Sequence, residues 1–486
     1  MINDKLMPSS VARVVIAGLR GGSGKTTLSL GLIKVFKDTG LKISAFKKGP
    51  DYIDAGWLAS AADTNCYNLD PYLFPDKKIL QSFLLHSRNA DCALIEGNRG
   101  IYDGMDVEGT YSTAELAKLL KSPVILIVDC TKVTRTLAAI IQGVIAFDPE
   151  VDLKGIILNN ISGRRHETVI RGAVEKYTPV KVLGAIQRLK DERFPERHMG
   201  LTPHHEHPEV VKSIEIMGRI VRDAVEYEKV LDIARGAPQL ATSNQQPATR
   251  TSQLATVFDS LNPQPATRNV RIGIIKDMAF QFYYPDNLEA LRGAGAELVG
   301  ISAITEESLP DIDALYIGGG FPETNAITLS ENKKFMASLR HAVEQGLPVY
   351  AECGGLMYLG REIEFQGKRY PMTAILPISF RMETSPVAHG YTMVEVKEDN
   401  PYFQKGTSLK GHEFHYSRVM DYDSNLKMVF AMNRGKGIDG KSDGIVYRNV
   451  LATYTHLHAL GSPEWVEGML SAAHNHAQGR RRLSSV

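Results

Sequence analysis

Short apolar runs rich in β-branched residues alternate with amphipathic stretches through the first half of the chain. The runs have the length of strands, whereas the stretches between them repeat apolar residues at helical spacing. One helix is predicted over residues 27–39 and ends at Gly40. This alternation predicts a mostly parallel, doubly wound α/β sheet. Its predicted strands are residues 12–19, 41–47, 92–96, 123–129, 154–160 and 181–186.

A second α/β pattern begins at Val270. Its strand-like segments read RIGIIKD, LVGIS, ALYIGGG and LPVYAE, and helices are predicted between them over residues 285–293 and 332–344. Residues 237–269, between the two patterns, contain QLAT and QPATR twice each and few core-forming side chains. Such a composition predicts a flexible linker. The predicted organisation is therefore a first α/β domain over 1–236, a low-complexity linker over 237–269, a second α/β domain over 270–475 and a frayed basic tail over 476–486.

Composition is that of an ordinary globular protein. The 486 residues are 43% hydrophobic and 23% charged, with a net charge of +1, so nothing global points to nucleic acid or an anionic membrane. No apolar run approaches the ~20 residues that span a bilayer, and the N-terminus lacks the features of a secretory signal. The four cysteines are scattered, which argues against a disulfide framework and a zinc site. We therefore expect a cytoplasmic protein, whose oligomeric state the sequence leaves open.

A glycine loop, RGGSGKTT, follows the first predicted strand and precedes the first predicted helix. Backbone N–H groups of such a loop converge on phosphate oxygens, Lys25 would reach the β- and γ-phosphates, and Thr26 would bind Mg²⁺. The strict phosphate-loop pattern is not met because Leu19 replaces its first glycine, and Arg20 stands where some related loops carry a second lysine. The strand before and the helix after favour a nucleotide site over an empty turn. The predicted nucleotide-binding residues are Gly21, Gly22, Gly24, Lys25, Thr26 and Thr27.

Two acidic clusters follow predicted strands of the same sheet. One reads KKGPDYID over residues 47–54, and the other reads EGNRGIYDG over residues 96–104. Loops at the carboxyl ends of parallel strands line the ligand crevice, so both clusters are expected to face the phosphates. Asp51 and Glu96 suit a role at Mg²⁺, which prefers hard oxygen ligands.

The second domain carries a candidate thiol nucleophile. Cys353 follows a predicted strand and precedes two glycines, the local pattern of a nucleophile elbow, and the following helix N-terminus is expected to favour the thiolate. Backbone N–H groups of the GGG segment at 318–320 are candidate donors to an oxyanion. The oxyanion and elbow glycines predicted here are Gly319, Gly320 and Gly354.

The base for this thiol is predicted in the segment YTHLH, which follows the apolar run VLAT. Because alternate residues of a strand share a face, strand phase leaves both His456 and His458 as candidates. His389, His412 and His415 lack this context and are predicted to be structural.

The ordered motifs resemble the cobyrinic acid a,c-diamide synthases, glutamine-dependent amidoligases of cobalamin biosynthesis. The resemblance covers nearly the whole chain apart from the linker and both tails. Its segments are GGSGKTT, KKGPDYID, IEGNRGIYDGMD, PERHMGLTPHHEH, AFQFYYPDNLEAL, LYIGGGFPE, AECGGLMYLG and YTHLH. The chain departs from the family pattern at Ala55, where proline is frequent, and in the 237–269 insert.

This resemblance implies a dethiobiotin-synthetase-like domain that binds ATP and Mg²⁺, followed by a class I-type glutaminase domain. It implies that Cys353 is the nucleophile, that His456 raises its nucleophilicity, and that Asp51, Glu96 and Asp103 serve ATP·Mg²⁺ and carboxylate activation. The implied substrates are a corrinoid polycarboxylate, L-glutamine and ATP, with no nucleic acid or membrane partner.

Three alternatives remain at the level of sequence. The same amidation can act on Ni-sirohydrochlorin or on hydrogenobyrinic acid. A partitioning or regulatory ATPase shares the glycine loop, but it needs no glutaminase domain. A scaffold with an inactive glutaminase is disfavoured by the context of Cys353 and His456.

Overall fold

The computed structural model describes residues 11–188, 196–197, 200–201, 210–240, 270–423 and 425–484. The chain divides into two compact units, Met1–Pro247 and Ala248–Val486. Most of the predicted linker, residues 241–269, lies outside the described part, as do the last two residues of the predicted tail. Every helix in the described part is too short or too polar to cross a membrane.

The first unit alternates strands and helices along the chain. Its strands are β1 (Arg13–Gly18), β2 (Ile43–Lys48), β3 (Cys66–Leu69), β4 (Cys92–Glu96), β5 (Val124–Asp129), β6 (Leu153–Ile161), β7 (Lys181–Gln187), β8 (Glu196–Arg197) and β9 (Gly200–Leu201). Its helices are α1 (Lys25–Asp38), α2 (Ile53–Ala62), α3 (Asp76–Ser87), α4 (Thr113–Leu119), α5 (Thr136–Phe147), α6 (Arg164–Tyr177), α7 (Val210–Ala224) and α8 (Tyr227–Arg235).

Seven parallel strands form one sheet in the order β3–β2–β4–β1–β5–β6–β7. The two faces bury different helices because side chains alternate along each strand. Ala45 of β2 packs in a core cluster with Leu28 of α1 and Trp57 of α2. The neighbouring Phe46 instead contacts Phe83 of α3, with ring centroids 5.1 Å apart. Helices therefore cover both faces, which confirms the predicted doubly wound parallel sheet.

The second unit begins with a parallel α/β pattern and continues with mainly antiparallel strands. Its strands are β10 (Arg271–Ile275), β11 (Phe280–Phe282), β12 (Glu297–Ile301), β13 (Ala314–Ile317), β14 (Gly319–Gly320), β15 (Val349–Glu352), β16 (Glu362–Phe365), β17 (Lys368–Pro371), β18 (Ile378–Met382), β19 (Ala388–Val396), β20 (Ser408–His415), β21 (Ser417–Tyr422), β22 (Lys427–Arg434), β23 (Ser442–Tyr447), β24 (Val450–Thr453) and β25 (His456–Leu457). Its helices are α9 (Pro285–Gly293), α10 (Ala326–Glu331), α11 (Lys333–Glu344), α12 (Gly354–Leu359) and α13 (Pro463–Ser484).

A ten-stranded mixed sheet organises this unit, in the order β12–β10–β13–β15–β24–β23–β22–β19–β20–β25. The strands from β12 to β24 are parallel, and the remainder pair antiparallel. A separate four-stranded sheet has the order β17–β16–β18–β21. The predicted α/β class is confirmed for both units.

Two local expectations differ from the structure. The four-residue strand β3 was not predicted, because the sequence CYNL is short and carries a polar residue. The segment 476–486 was predicted to be a frayed tail, but α13 continues to Ser484. Arg480 anchors this helix with ion pairs of 2.5 Å to Asp311 and to Asp313.

Candidate active sites

The glycine loop lies at the carboxyl end of β1 and leads into α1. Gly22 and Gly24 have φ angles of 71° and 98°, in the left-handed region that favours glycine. A Cβ atom at Gly24 would lie 2.4 Å from Nδ2 of Asn159, and this amide donates a 2.9 Å hydrogen bond to the carbonyl of Ser23. Asn159, which the sequence analysis did not identify, therefore supports the loop from the end of β6.

Lys25 points back into its own loop. Its Nζ donates hydrogen bonds to the carbonyl oxygens of Arg99, at 2.8 Å, and Arg20, at 3.3 Å. Burial, assisted by the nearby charge of Lys47, lowers the pKa of Lys25. The Arg20 guanidinium forms a 2.6 Å ion pair with Asp129 at the end of β5.

A buried lysine links the two acidic clusters that the sequence placed at neighbouring strand ends. Nζ of Lys47 lies 2.7 Å from Oε1 of Glu96 and 2.6 Å from Oδ2 of Asp54. Burial lowers the pKa of Lys47, but the carboxylates of Asp54 and Glu96 outweigh burial and hold it well above the usual value. The lysine is therefore a fixed cation beneath the glycine loop.

Glu96 also contacts the loop directly, since Thr26 Oγ1 donates a 2.9 Å hydrogen bond to its Oε1. Its second oxygen, Oε2, is buried without a hydrogen-bond partner among the described residues, and burial raises the pKa of Glu96. Asp51 accepts a 2.9 Å hydrogen bond from the backbone of Asp54, while burial and the Asp54 charge raise the pKa of Asp51 to about 7. Asp103 accepts a 2.8 Å hydrogen bond from the backbone of Gly100.

The thiol of the second unit lies on a sharp turn between β15 and α12. Cys353 has φ 48° and ψ −98°, a strained conformation for a residue with a side chain. A Cβ atom at Gly354 would lie 3.0 Å from the backbone nitrogen of Gly320. Glycine at this position thus lets the elbow approach β14, which contains the predicted oxyanion residues Gly319 and Gly320.

The expected stabilisation of a thiolate by the helix N-terminus is not met in the free protein. Cys353 is 6% exposed, and burial raises the pKa of its thiol, with a further contribution from the Glu323 carboxylate. The backbone of Gly354 opposes this shift, but α12 has only six residues and does not outweigh burial. The thiol's weak contact with the carbonyl oxygen of Phe414 is 3.8 Å long.

The two candidate histidines have different surroundings. His456 lies 3.2 Å, through Nδ1, from Oε2 of Glu352, and both side chains are buried. His458 lies 3.5 Å, through Nε2, from Oδ2 of Asp286 on α9. A Cβ atom at Gly319 would lie 2.6 Å from Cε1 and 3.4 Å from Nε2 of His456, so this ring edge faces the predicted oxyanion strand.

His412, which the sequence analysis set aside as structural, stacks on the ring of His456. The ring centroids are 4.9 Å apart and the planes are inclined by 20°. Burial holds the pKa of His412 well below its usual value, so this neighbour is neutral.

A buried carboxylate that the sequence analysis missed fixes the backbone just before His456. Asp443 accepts hydrogen bonds from the hydroxyl of Thr453, the backbone of Tyr454, and both the backbone and hydroxyl of Thr455. In the sequence Asp443 is an ordinary acidic residue in KSDG. Only the pairing of β23 with β24 brings it beneath this turn.

These features define a class: a nucleotide-binding α/β domain joined to a thiol-containing α/β domain of the glutamine amidotransferase type. The family described as "CobQ/CobB/MinD/ParA nucleotide binding domain" matches residues 14–201. The family described as "CobB/CobQ-like glutamine amidotransferase domain" matches residues 271–464.

Curated relatives match both domains together. The chain is 40% identical to the cobyrinate a,c-diamide synthase of Magnetococcus marinus, over 94% of this chain and 96% of the relative. It is equally identical, over the same shares, to the synthase of Archaeoglobus fulgidus. The synthase of Listeria monocytogenes is 37% identical over 92% of this chain and 96% of its own length. The chain belongs to the cobyrinate a,c-diamide synthase family.

Proposed function

We propose that this protein uses ATP and glutamine to amidate the a and c acetate groups of cobyrinic acid. The observation that carries the proposal is the presence of the glycine loop and the Cys353 elbow in one chain, 94% of which aligns with synthases of that name. Each unit would supply one half of the chemistry.

The first unit would make the acetate carboxylate electrophilic. A carboxylate resists nucleophiles because its charge is delocalised. Transfer of the γ-phosphoryl group of ATP to a carboxylate oxygen gives an acyl phosphate and ADP, and this phosphate is a good leaving group. Positioning and charge neutralisation would supply most of the rate. The loop glycines and Lys25 would hold the phosphates, while Asp51 and Asp103 would serve the activation step.

The chemistry around Glu96 fits a divalent cation. Its Oε2 is buried without a hydrogen-bond partner among the described residues, and Thr26 lies beside its other oxygen. No group of three or more His, Cys, Asp or Glu side chains in the described residues can hold a metal by itself. Mg²⁺ typically takes one or two carboxylates and fills its remaining positions with water and phosphate oxygens. Thr26, Glu96 and Asp51 would therefore hold Mg²⁺, whose charge would neutralise the phosphates.

The second unit would release the nitrogen. Sγ of Cys353 attacks the side-chain amide of glutamine, its proton passes through His456 to the leaving nitrogen, and ammonia departs as a thioester forms. Water then hydrolyses the thioester to glutamate. The backbone N–H groups near Gly319, Gly320 and Gly354 would stabilise the oxyanion. Ammonia attacks the acyl phosphate and expels phosphate, and the cycle repeats at the second acetate.

Product analysis by mass tests this proposal. Purified protein with cobyrinic acid, ATP, Mg²⁺ and glutamine should give two successive amidations. Cys353→Ala should lose the glutamine-dependent reaction and retain the reaction with ammonium chloride. A Cys353→Ala protein that still uses glutamine would contradict the assignment of the thiol.

Parallel reactions with hydrogenobyrinic acid and Ni-sirohydrochlorin identify the macrocycle. Turnover of either of these without turnover of cobyrinic acid would overturn the proposed substrate while leaving the two half-reactions intact.

A further inference from the structure

The YTHLH segment presents two buried histidine–carboxylate pairs, and their geometry differs. A histidine that takes a proton from a thiol must offer one ring nitrogen to the sulfur, so its other nitrogen needs a fixed partner. His456 has Glu352 for this partner and His458 has Asp286, on different elements of the same unit.

Glu352 is held at both of its oxygens. Its Oε2 accepts a 2.9 Å hydrogen bond from the Tyr316 hydroxyl and lies 3.2 Å from Nδ1 of His456. Its Oε1 accepts a 3.1 Å hydrogen bond from the backbone of Leu457. Because the side chain is fully buried, this carboxylate has a single fixed position under the imidazole.

The opposite edge of the imidazole is turned toward the elbow. The Cβ position of Gly319 lies 3.4 Å from Nε2 of His456, and Gly320, the next residue, approaches Gly354 directly after Cys353. With Nδ1 facing Glu352, Nε2 is the remaining ring nitrogen, and it lies on the ring edge that faces Gly319.

We infer that Glu352, the residue immediately before the nucleophile, is the positioning carboxylate of the glutaminase. It holds Nδ1–H of His456 so that Nε2 accepts the proton from Sγ of Cys353, and its charge stabilises the imidazolium that forms. No proton passes to Glu352. This inference rests on the proposed function, and it deepens that function by naming a residue that acts through His456 and not on the substrate.

The charges around the imidazole support this role. His412, stacked on the ring, is neutral because burial lowers its pKa. Tyr316 and Tyr350, which face Glu352, are also neutral because burial raises their pKa values well above the usual range. Burial raises the pKa of Cys353, and the charges of Glu323 and Glu352 add to this shift. Glu352 is accordingly the carboxylate in contact with His456 that can balance a positive ring.

The pair formed by His458 and Asp286 provides a matched control. Both side chains are fully buried, as at the first pair, but the ring nitrogens of His458 face Asp286 and the backbone of Leu460. Loss of this carboxylate should disturb the fold locally without changing the base of the thiol.

The test compares Glu352→Gln with Asp286→Asn in the full-length protein. Glutamate release from glutamine and amidation with ammonium chloride are measured on the same preparations, with thermal unfolding as a check on folding. Iodoacetamide alkylation of Cys353, followed by peptide mass analysis across pH, reports the formation of the thiolate. Tyr316→Phe, which removes one hydrogen bond from Glu352, is a milder second variant.

Glu352→Gln should lower kcat for glutamate release by about 100-fold or more with KM little changed, since positioned bases contribute about 10²- to 10⁴-fold. Ammonium-dependent amidation should stay within about twofold of wild type. Besides burial, the charge of Glu352 directly raises the pKa of Cys353, whereas the imidazolium that it supports stabilises the thiolate. The inference requires the second effect to be the larger, so alkylation of Cys353 should shift to higher pH in Glu352→Gln. Tyr316→Phe should lower kcat for glutamate release and raise the pH of alkylation by smaller amounts. This variant tests the inference if Glu352→Gln does not fold.

The inference is overturned if Glu352→Gln keeps kcat within threefold of wild type, or if Asp286→Asn loses as much. It is also overturned if Tyr316→Phe leaves both kcat and the alkylation profile unchanged while Glu352→Gln is unfolded. Failure of the proposed function looks different, because without the glutaminase half-reaction the wild-type protein itself would release no glutamate, and with a different macrocycle it would amidate that macrocycle and not cobyrinic acid.

Discussion

Gly319→Ala probes the base of the thiol with one added methyl group. Gly319 has no positive φ, so its backbone accepts alanine. The new Cβ would lie 2.6 Å from Cε1 of His456, where ordinary van der Waals contact begins at 3.4 Å. The imidazole must therefore move by about 0.8 Å, and displacements near 1 Å at a reacting group can cost about 10²-fold in rate.

The ring has little freedom to absorb this movement. His456 is 1% exposed, its ring stacks on His412, and its Nδ1 is held by Glu352. We expect kcat for glutamate release to fall about 10²-fold, equivalent to about 2.7 kcal/mol of transition-state stabilisation. Amidation with ammonium chloride should be unchanged, because the proposed synthetase site lies in the first unit.

Gly300→Ala is the matched control. It lies in β12 of the same unit, and a Cβ there meets nothing within 4 Å. Steady-state glutamate release is measured for both variants beside thermal unfolding. A folded Gly319→Ala protein that keeps kcat within threefold of wild type would refute the placement of His456 as the base.

Three further predictions concern buried charges. Lys47→Met removes the cation between Asp54 and Glu96 and should lower the free energy of unfolding by about 3–5 kcal/mol in urea titrations. Lys34→Met, at a surface pair, is the control. Similar losses of unfolding free energy in both variants would contradict a special role for the buried cation. Because the pKa of Asp51 is about 7, its carboxyl is protonated below that pH and binds metal poorly. The apparent affinity for Mg²⁺, measured as the Mg²⁺ dependence of amidation, should rise from pH 6 to pH 8. If the affinity rises equally in Asp51→Asn, deprotonation of Asp51 is not the cause. Asp443→Asn leaves buried donors unpaired and should lower the free energy of unfolding by about 1–3 kcal/mol. Glutaminase activity should fall as well. Full activity in a folded variant would show that the turn before His456 does not depend on Asp443.

Much of the fold was predictable because its signals are local. The strands around the glycine loop were placed within two residues of their bounds, and the helix Pro285–Gly293 was predicted at its observed ends. Apolar runs bounded by glycine or polar turns carry this information within a few residues. Strands after α12 such as β16 and β17 were not predicted, because they are short and half-exposed and lack the apolar run that marks a buried strand.

The candidate sites divide in the same way. The glycine loop and the Cys353 elbow each consist of contiguous residues whose backbone path depends on their own glycines, so their positions could be read from the chain. The partners of these motifs could not be read in this way. Glu352 and His456 are 104 positions apart in sequence and meet only through the packing of the strands and turns around them.

The sequence by itself determined the two α/β domains, the glycine loop and the sharp turn that carries the thiol, since each follows from the order of neighbouring residues. The tertiary structure decided which charges face one another. Strand order brings Lys47 beside Glu96, and the same kind of long-range pairing places Asp443 under the turn before His456. It also placed Glu352 beside His456 and Asp286 beside His458, because such contacts depend on differences of a few tenths of an ångström in position that no local pattern encodes.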